Sequence, residues 1–269
     1  MAEIGTALSP AACRAAANLL HAARRDLRPI SELPTGLRPR EPSEGYAIQQ
    51  AFVAAEGGDL AGFKIGATSR ATQDYLTIDG PFFGCLFAAG VHESPAELSA
   101  GGFIFRLIEP EFAFRMGADL APRQALYDRG EAAAAVASAH PAVEVVTSAF
   151  GRDWTRVGAP ALIADNGVHG AFILGPACEN WRGLDLAAHR VALLRNGNQE
   201  GDGVGANALG HPLDALAWLA NQGVLGGRGL KAGDVVTTGV VTPFIYVEAG
   251  DRVTADFGAL GEVNLRFTV

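Results

Sequence analysis

The segment 103–114, FIFRLIEPEFAF, restricts what this chain can fold into more than any other. Apolar and polar residues alternate through a run rich in Phe and Ile, which predicts a strand. Residues two apart on a strand share a face, so Glu109 and Glu111 point the same way, in a row with Phe103, Phe105, Leu107 and Ala113. Two carboxylates in an apolar row are costly unless neutralised, and each raises the pKa of the other. Pro110 has no N–H to donate to a ladder, so a solvated edge or bulged strand is one reading. A divalent cation held by paired carboxylates is the other.

A third acid favours the cation. In the segment 140–150, HPAVEVVTSAF, Glu144 stands between Val143 and Val145 in a β-branched run that predicts a buried strand, and no Lys or Arg follows until Arg152. Three carboxylates without a His or Cys cluster suit a hard ion, Mg²⁺ or Mn²⁺ rather than zinc, and leave positions for water or a chelating substrate.

The composition limits the classes of partner. With 269 residues, 49% hydrophobic and 19% charged, the chain suits one large globular domain, alone or with a helical extension. A net charge of −8 and no basic patch exclude a nucleic-acid partner. No apolar run reaches the roughly 18 residues that span a bilayer, and the N-terminus lacks a basic region followed by an apolar one. Cys13, Cys85 and Cys178 are odd in number and widely spaced, as reduced thiols of a cytoplasmic protein would be.

Ser9-Pro10 reads as an N-cap and first helical residue, opening a helix to about Arg25, and a second helix over 43–56 stops at Gly57-Gly58. Residues 1–60 thus form a helical arm, expected to serve packing or assembly in a homo-oligomer rather than chemistry. Short strands follow over 61–269. GFKIGAT places Lys64 inside an apolar strand, from which its ammonium must either reach the surface or face the cavity of the glutamates, where its pKa should fall. Asp79 precedes Gly80-Pro81 in a turn; 122–139 predicts a helix with GEAAAAVASA at its end. ALIADNGVHGAFILG reads as strand, loop and strand, with His169 a satisfied loop residue. Asn196-Gly197 predicts a hairpin, and EGDGVGANALG a Gly-rich loop entering a helix near His211-Pro212, without phosphate-loop spacing. The last forty or so residues hold four β-segments. The class expected from these patterns is α+β, mainly β, with peripheral helices and an N-terminal helical arm.

GFKIGAT (62–68), IEPEFAF, PAVEVV, IADNG (163–167), ALGHPLDALAWLAN (208–221) and AGDRV (249–253), in this order along the chain, resemble the fumarylacetoacetate hydrolase superfamily. The likeness is closer to its 2-keto-4-pentenoate hydratase and 4-oxalocrotonate decarboxylase branch. The resemblance implies a mixed β-roll or sandwich of that type over 61–269, with Glu109, Glu111 and Glu144 as ligands of Mg²⁺ or Mn²⁺. It places Lys64 against the substrate, allows Asp79 a catalytic role, and implies substrate contacts at Asp202 and Thr238. The implied activity is hydration of a 2-hydroxy-2,4-dienoate to a 4-hydroxy-2-oxo acid in aromatic meta-cleavage catabolism. Decarboxylation of a 4-oxalocrotonate-like diacid is the alternative, ahead of C–C hydrolysis or non-catalytic binding of a 2-oxo acid. Two departures stand out. Gly201-Asp202-Gly203 occupies a loop where the hydratase branch carries Ser or Thr, and TSAFGRDW replaces the Lys-Gly-Asp segment of the C–C hydrolases.

Overall fold

The computed structural model describes residues 7–269. The arm forms as its sequence dictates. Helix α1 (Pro10–Arg25) begins where the Ser9 hydroxyl accepts from the Ala12 N–H at 3.2 Å, and α2 (Pro42–Glu56) ends where Gly57 turns left-handed at φ 67°. The apolar face of α1, centred on Ala16 and Leu20, packs with Ile48 and Phe52 of α2 against Leu162 and Ile163 of α5 (Ala159–Ala164). The arm is therefore joined to the remainder of the molecule by a shared core.

Two sheets make up that remainder. The first contains β1 (Leu60–Gly66), β2 (Phe82–Phe87), β3 (Val91–Glu93), β5 (Leu107–Met116), β6 (Val136–Val146), β7 (His169–Leu174) and β10 (Val235–Thr237) in the order β2-β1-β10-β5-β6-β7-β3, with β11 (Ile245–Tyr246) pairing β5. The second runs β4 (Ala96–Ser99), β13 (Glu262–Thr268), β12 (Arg252–Asp256), β8 (Arg190–Arg195), β9 (Asn198–Val204). Val253, Leu265 and Phe267 of the second sheet share one core cluster with Phe63, Phe112, Val143 and Val145 of the first. Each such side chain, fully buried, contributes roughly 1.5–3 kcal/mol, so this core fixes which face of the first sheet turns inward. The acids lie on the other face.

The structure revises several sequence expectations. The acid-bearing strand begins at Leu107, not Phe103, because Phe105 N–H turns aside to the Thr147 hydroxyl. It is an interior strand, not an edge. Pro110 is tolerated there because it faces the gap between β10 and β11, where its carbonyl accepts from Val241 N–H at 3.0 Å. The Ala-rich segment after α4 (Arg129–Ala134) is strand from Val136, since pairing with β5 overrides alanine's helix propensity. The segment before Asp165 is helical, opened by Pro160. Asn196-Gly197 does turn a hairpin, and its second strand runs on through 200–204, the start of the expected Gly-rich loop. Gly203 serves close packing there, as a Cβ would meet the Val241 carbonyl at 1.8 Å. The chain also forms helices α3 (Arg70–Leu76) and α6 (Pro212–Ala220). Among the described residues no helix is long and apolar enough to cross a membrane.

Candidate active site

Register places the acids. On β5 and β6 Glu109 pairs directly with Glu144, so the two share a face; Glu111 follows two residues on. Across the other edge of β5, Ala113 pairs Thr237 of β10, which pairs Lys64 of β1. Ala113, Thr237 and Lys64 therefore stand on the same face as the glutamates. All three acids and the lysine are buried.

One oxygen from each of Glu109, Glu111 and Glu144 lies within 4.8 Å of the others. Glu111 Oε2 accepts from the Thr237 hydroxyl and from Gly239 N–H at 2.7 Å, while its Oε1 has no partner. Glu144 Oε1 bonds His169 Nδ1 at 2.8 Å. Its Oε2 is 3.1 Å from Lys64 Nζ but makes no directed hydrogen bond. Lys64 Nζ donates instead to the Gly167 carbonyl at 3.0 Å. Buried carboxylate oxygens that accept no hydrogen bond, as on Glu111 and Glu144, are expensive inside a protein unless a cation takes them. Oxygen ligands near 2.1 Å from an octahedral ion lie about 3 Å apart when adjacent and about 4.2 Å when opposite, so small side-chain shifts suffice for this triad to close on one ion. The residues fit a hard divalent metal.

Burial and mutual repulsion set the charges of the metal-free protein. Desolvation raises the pKa of Glu109 to about 7 despite the attraction of Lys64, with Glu144 adding to the rise. Desolvation, then Glu144 and Glu109, hold Glu111 well above the ordinary carboxylate range. For Glu144 burial also acts upward, but Lys64 and the His169 hydrogen bond outweigh it and the pKa falls. Desolvation depresses His169. For Lys64 desolvation acts downward, yet the attraction of Glu144, Glu109 and Glu111 together prevails and the pKa is raised. The expected fall is thus reversed: the pocket is desolvated, but it is not empty of negative charge.

The other expected residues fare unequally. Asp79 is exposed in the bend before β2, and no hydrogen bond or ion pair ties it to the carboxylates. Asp202 lies on β9, exposed and 3.2 Å from Arg190, at the rim of a groove of about 930 Å³ that also includes Thr68, Tyr75, Val241 and Phe244. The Thr238 hydroxyl is spent on the Phe112 carbonyl at 3.0 Å, so its neighbour Thr237 faces the acids instead. His169 is no bystander of the loop, since it begins β7 and orients Glu144. Gly239 and Gly167 contribute backbone groups to the acids and to Lys64 that the sequence does not announce. The alternation in DVVTTG was the available signal for Thr237; a backbone carbonyl or an arm residue 100 or more positions away in sequence has none.

Residues 103–268 match the family described as fumarylacetoacetate (FAA) hydrolase C-terminal. The chain belongs to the fumarylacetoacetate hydrolase family. Among the relatives of this family member is 2-keto-4-pentenoate hydratase 2 of Dechloromonas aromatica, 36% identical over 94% of this chain and 96% of the relative. The 2-hydroxyhexa-2,4-dienoate hydratase of Comamonas testosteroni is 33% identical over 93% and 95%. In three dimensions, 4-oxalocrotonate decarboxylase from Pseudomonas putida G7, complexed with magnesium and adipate, superposes with a TM-score of 0.89 at 26% identity, covering 98% of this chain and all of the other. The fumarylacetoacetate hydrolase fold expected from the sequence is thus the one observed, and the acid-bearing strands lie within the matched region.

Proposed function

We propose that the chain is a divalent-metal-dependent hydro-lyase that adds water to a 2-hydroxy-2,4-dienoate, yielding a 4-hydroxy-2-oxo acid. The observation that carries this reading is the buried Glu109–Glu111–Glu144 triad, with unpartnered oxygens and Lys64 against it. It agrees with the activities for which the relatives are named. The three glutamates would hold the ion, and an all-oxygen set favours Mg²⁺ or Mn²⁺. When bound, the metal supplies positive charge for the carboxylate and 2-oxo oxygens of the substrate. Thr237 and Gly239 fix the carboxylate of Glu111 and His169 that of Glu144, so two of the three ligands are preorganised. Lys64, held by Glu144 and the Gly167 carbonyl, carries the proton transfers. In ketonisation the proton of the 2-hydroxyl leaves oxygen and one is delivered to C5, giving the 2-oxo-3-enoate. Water oxygen then bonds C4 while a proton is placed on C3, which balances the addition. This reading gives no proton-transfer role to Asp79, which is exposed, or to Thr238, whose hydroxyl bonds the Phe112 carbonyl, and it keeps Asp202 for the choice of substrate.

Decarboxylation of a 2-oxo diacid is the second reading, favoured by the close superposition on a decarboxylase. Against it stands Asp202, a carboxylate at the rim of the neighbouring groove, where a second acidic group of the substrate would be repelled. Loss of dienol absorbance from 2-hydroxypenta-2,4-dienoate, abolished by EDTA and restored by Mg²⁺, is the expected result. Release of CO₂ from the diacid, with no hydration of the dienoate, would reverse the order. Lys64→Met should lower kcat by about 10²–10⁴-fold. It should leave metal affinity unchanged or tighter, because it removes a cation 3.1 Å from Glu144.

A further inference from the structure

We propose that Arg24, on the N-terminal arm, is a positioning residue of the active site: it holds a strained turn that orients both Lys64 and Glu144. The inference rests on reading Lys64 as the proton-transfer group. The turn is 165–169. Asn166, Gly167 and Val168 are left-handed in succession, at φ 53°, 61° and 59°. Glycine adopts this conformation freely and asparagine tolerates it, but a β-branched valine does not, and a run of three is unusual for L-residues. Such a backbone persists only where its surroundings over-determine it.

The Asn166 side chain pairs with the Cys85 backbone N–H and carbonyl at the centre of the turn, and one guanidinium holds its two ends. Arg24 Nε donates to Asp165 Oδ1 at 2.6 Å and Nη2 to the Asp165 carbonyl at 2.9 Å, gripping the entry of the turn. Nη1 donates to the His169 carbonyl at 2.6 Å, gripping its exit, and Nη2 reaches the Thr147 carbonyl at 3.1 Å. The second oxygen of Asp165 accepts from the Ser148 hydroxyl and Ala149 N–H, so this fully buried carboxylate is satisfied only with the arginine in place. Between the two gripped ends, the turn delivers the Gly167 carbonyl to Lys64 Nζ and the imidazole of His169 to Glu144. A planar fork with five donors can span these acceptors; a lysine ammonium cannot. The arm is thereby part of the active site and not only an assembly element.

A mere brace of the fold would lower stability without acting through Lys64. The test uses the full chain as Arg24→Lys, Arg24→Met, Lys64→Met and the Arg24→Met/Lys64→Met pair. It reads kcat on 2-hydroxypenta-2,4-dienoate with Mg²⁺, Mn²⁺ affinity of the EDTA-stripped protein, and thermal denaturation. Arg24→Lys, which keeps a positive charge beside Asp165 without the fork, should fold with a lowered melting temperature and lose about 10-fold or more in kcat, with KM changed by less than about 3-fold. It should also weaken Mn²⁺ binding by about 3–10-fold, less than the 10–100-fold of a partner that touches a ligand directly. In the Lys64→Met background, with Mg²⁺ saturating so that the route through Glu144 is read in Mn²⁺ affinity alone, Arg24→Met should cost less than about 2-fold further in kcat, because its route through Lys64 is gone. Effects that multiply, or an Arg24→Lys protein with wild-type kcat and Mn²⁺ affinity, would overturn the proposal. Wild-type protein that binds Mn²⁺ but leaves the dienoate untouched would instead sink the hydratase reading, while the Mn²⁺ measurements still decide for or against Arg24.

Discussion

Glu109 is the most exposed of the three acids at 8%, and the one without a hydrogen-bond donor of its own. Its pKa near 7 has a consequence for stability. A carboxyl whose folded pKa is raised binds more protons in the folded than in the unfolded state at intermediate pH. Its stabilising contribution is therefore complete below the unfolded value of about 4.5 and is lost as pH rises through about 7. Glu111 is shifted in the same direction, whereas the depressed Glu144 opposes them. The EDTA-treated protein should accordingly lose melting temperature as pH climbs through this window. Metal, which binds the ionised triad, should restore it, by roughly 2.7 kcal/mol at 100 times Kd. Glu109→Gln should remove both the pH slope attributable to this group and the metal-induced gain, together with turnover. Retained turnover of this variant in metal-free buffer would refute the assigned site.

At the scale of elements, the site depends on how β10 leaves the sheet. After Thr237 the chain turns at Gly239, whose φ of 90° and N–H to Glu111 are both needed. A Cβ here would lie 2.0 Å from the Thr68 hydroxyl, at the wall of the groove beside the site. Gly239→Ala should destabilise the protein by about 1–3 kcal/mol through backbone strain, with further loss from the clash. It should also weaken metal binding by loosening Glu111, measurable by titration of the stripped protein. A variant with unchanged melting and affinity would show that the turn is not what holds this carboxylate. The β5–β6 pair makes the complementary point. Glu109 and Glu144 meet because of pairing register, and a slip of one residue would send one of them into the opposite core.

For the whole molecule, we propose a homo-oligomer of cytoplasmic location, in which the arm packs on its own catalytic region as described and also contributes assembly surface. Light scattering at micromolar concentration should give a multiple of the 27.9 kDa chain mass; a mass equal to one chain would dismiss the assembly. Arg24 gives the arm a second role, so truncating residues before α2 should cost activity even where the oligomer persists.

The sequence by itself determined the two helices of the arm, the β-rich body, the Asn196-Gly197 hairpin and the three acids, because each depends on local periodicity, capping or an uncompensated charge in an apolar run. It also singled out Lys64, an ammonium inside an apolar strand that must reach either the surface or a polar cavity; the fold buries it 3.1 Å from Glu144. Tertiary structure decided the rest. Which of two adjacent threonines faces the buried acids follows from the register of β10 on β5, and neither side chain differs chemically. Whether 136–139 is helix or strand follows from β5 lying alongside. The raised pKa of Lys64 needs all three carboxylates around it. The grip of Arg24 on a turn more than 120 residues away exists only once the arm has docked, because long-range hydrogen bonds leave no periodic trace in the chain that makes them.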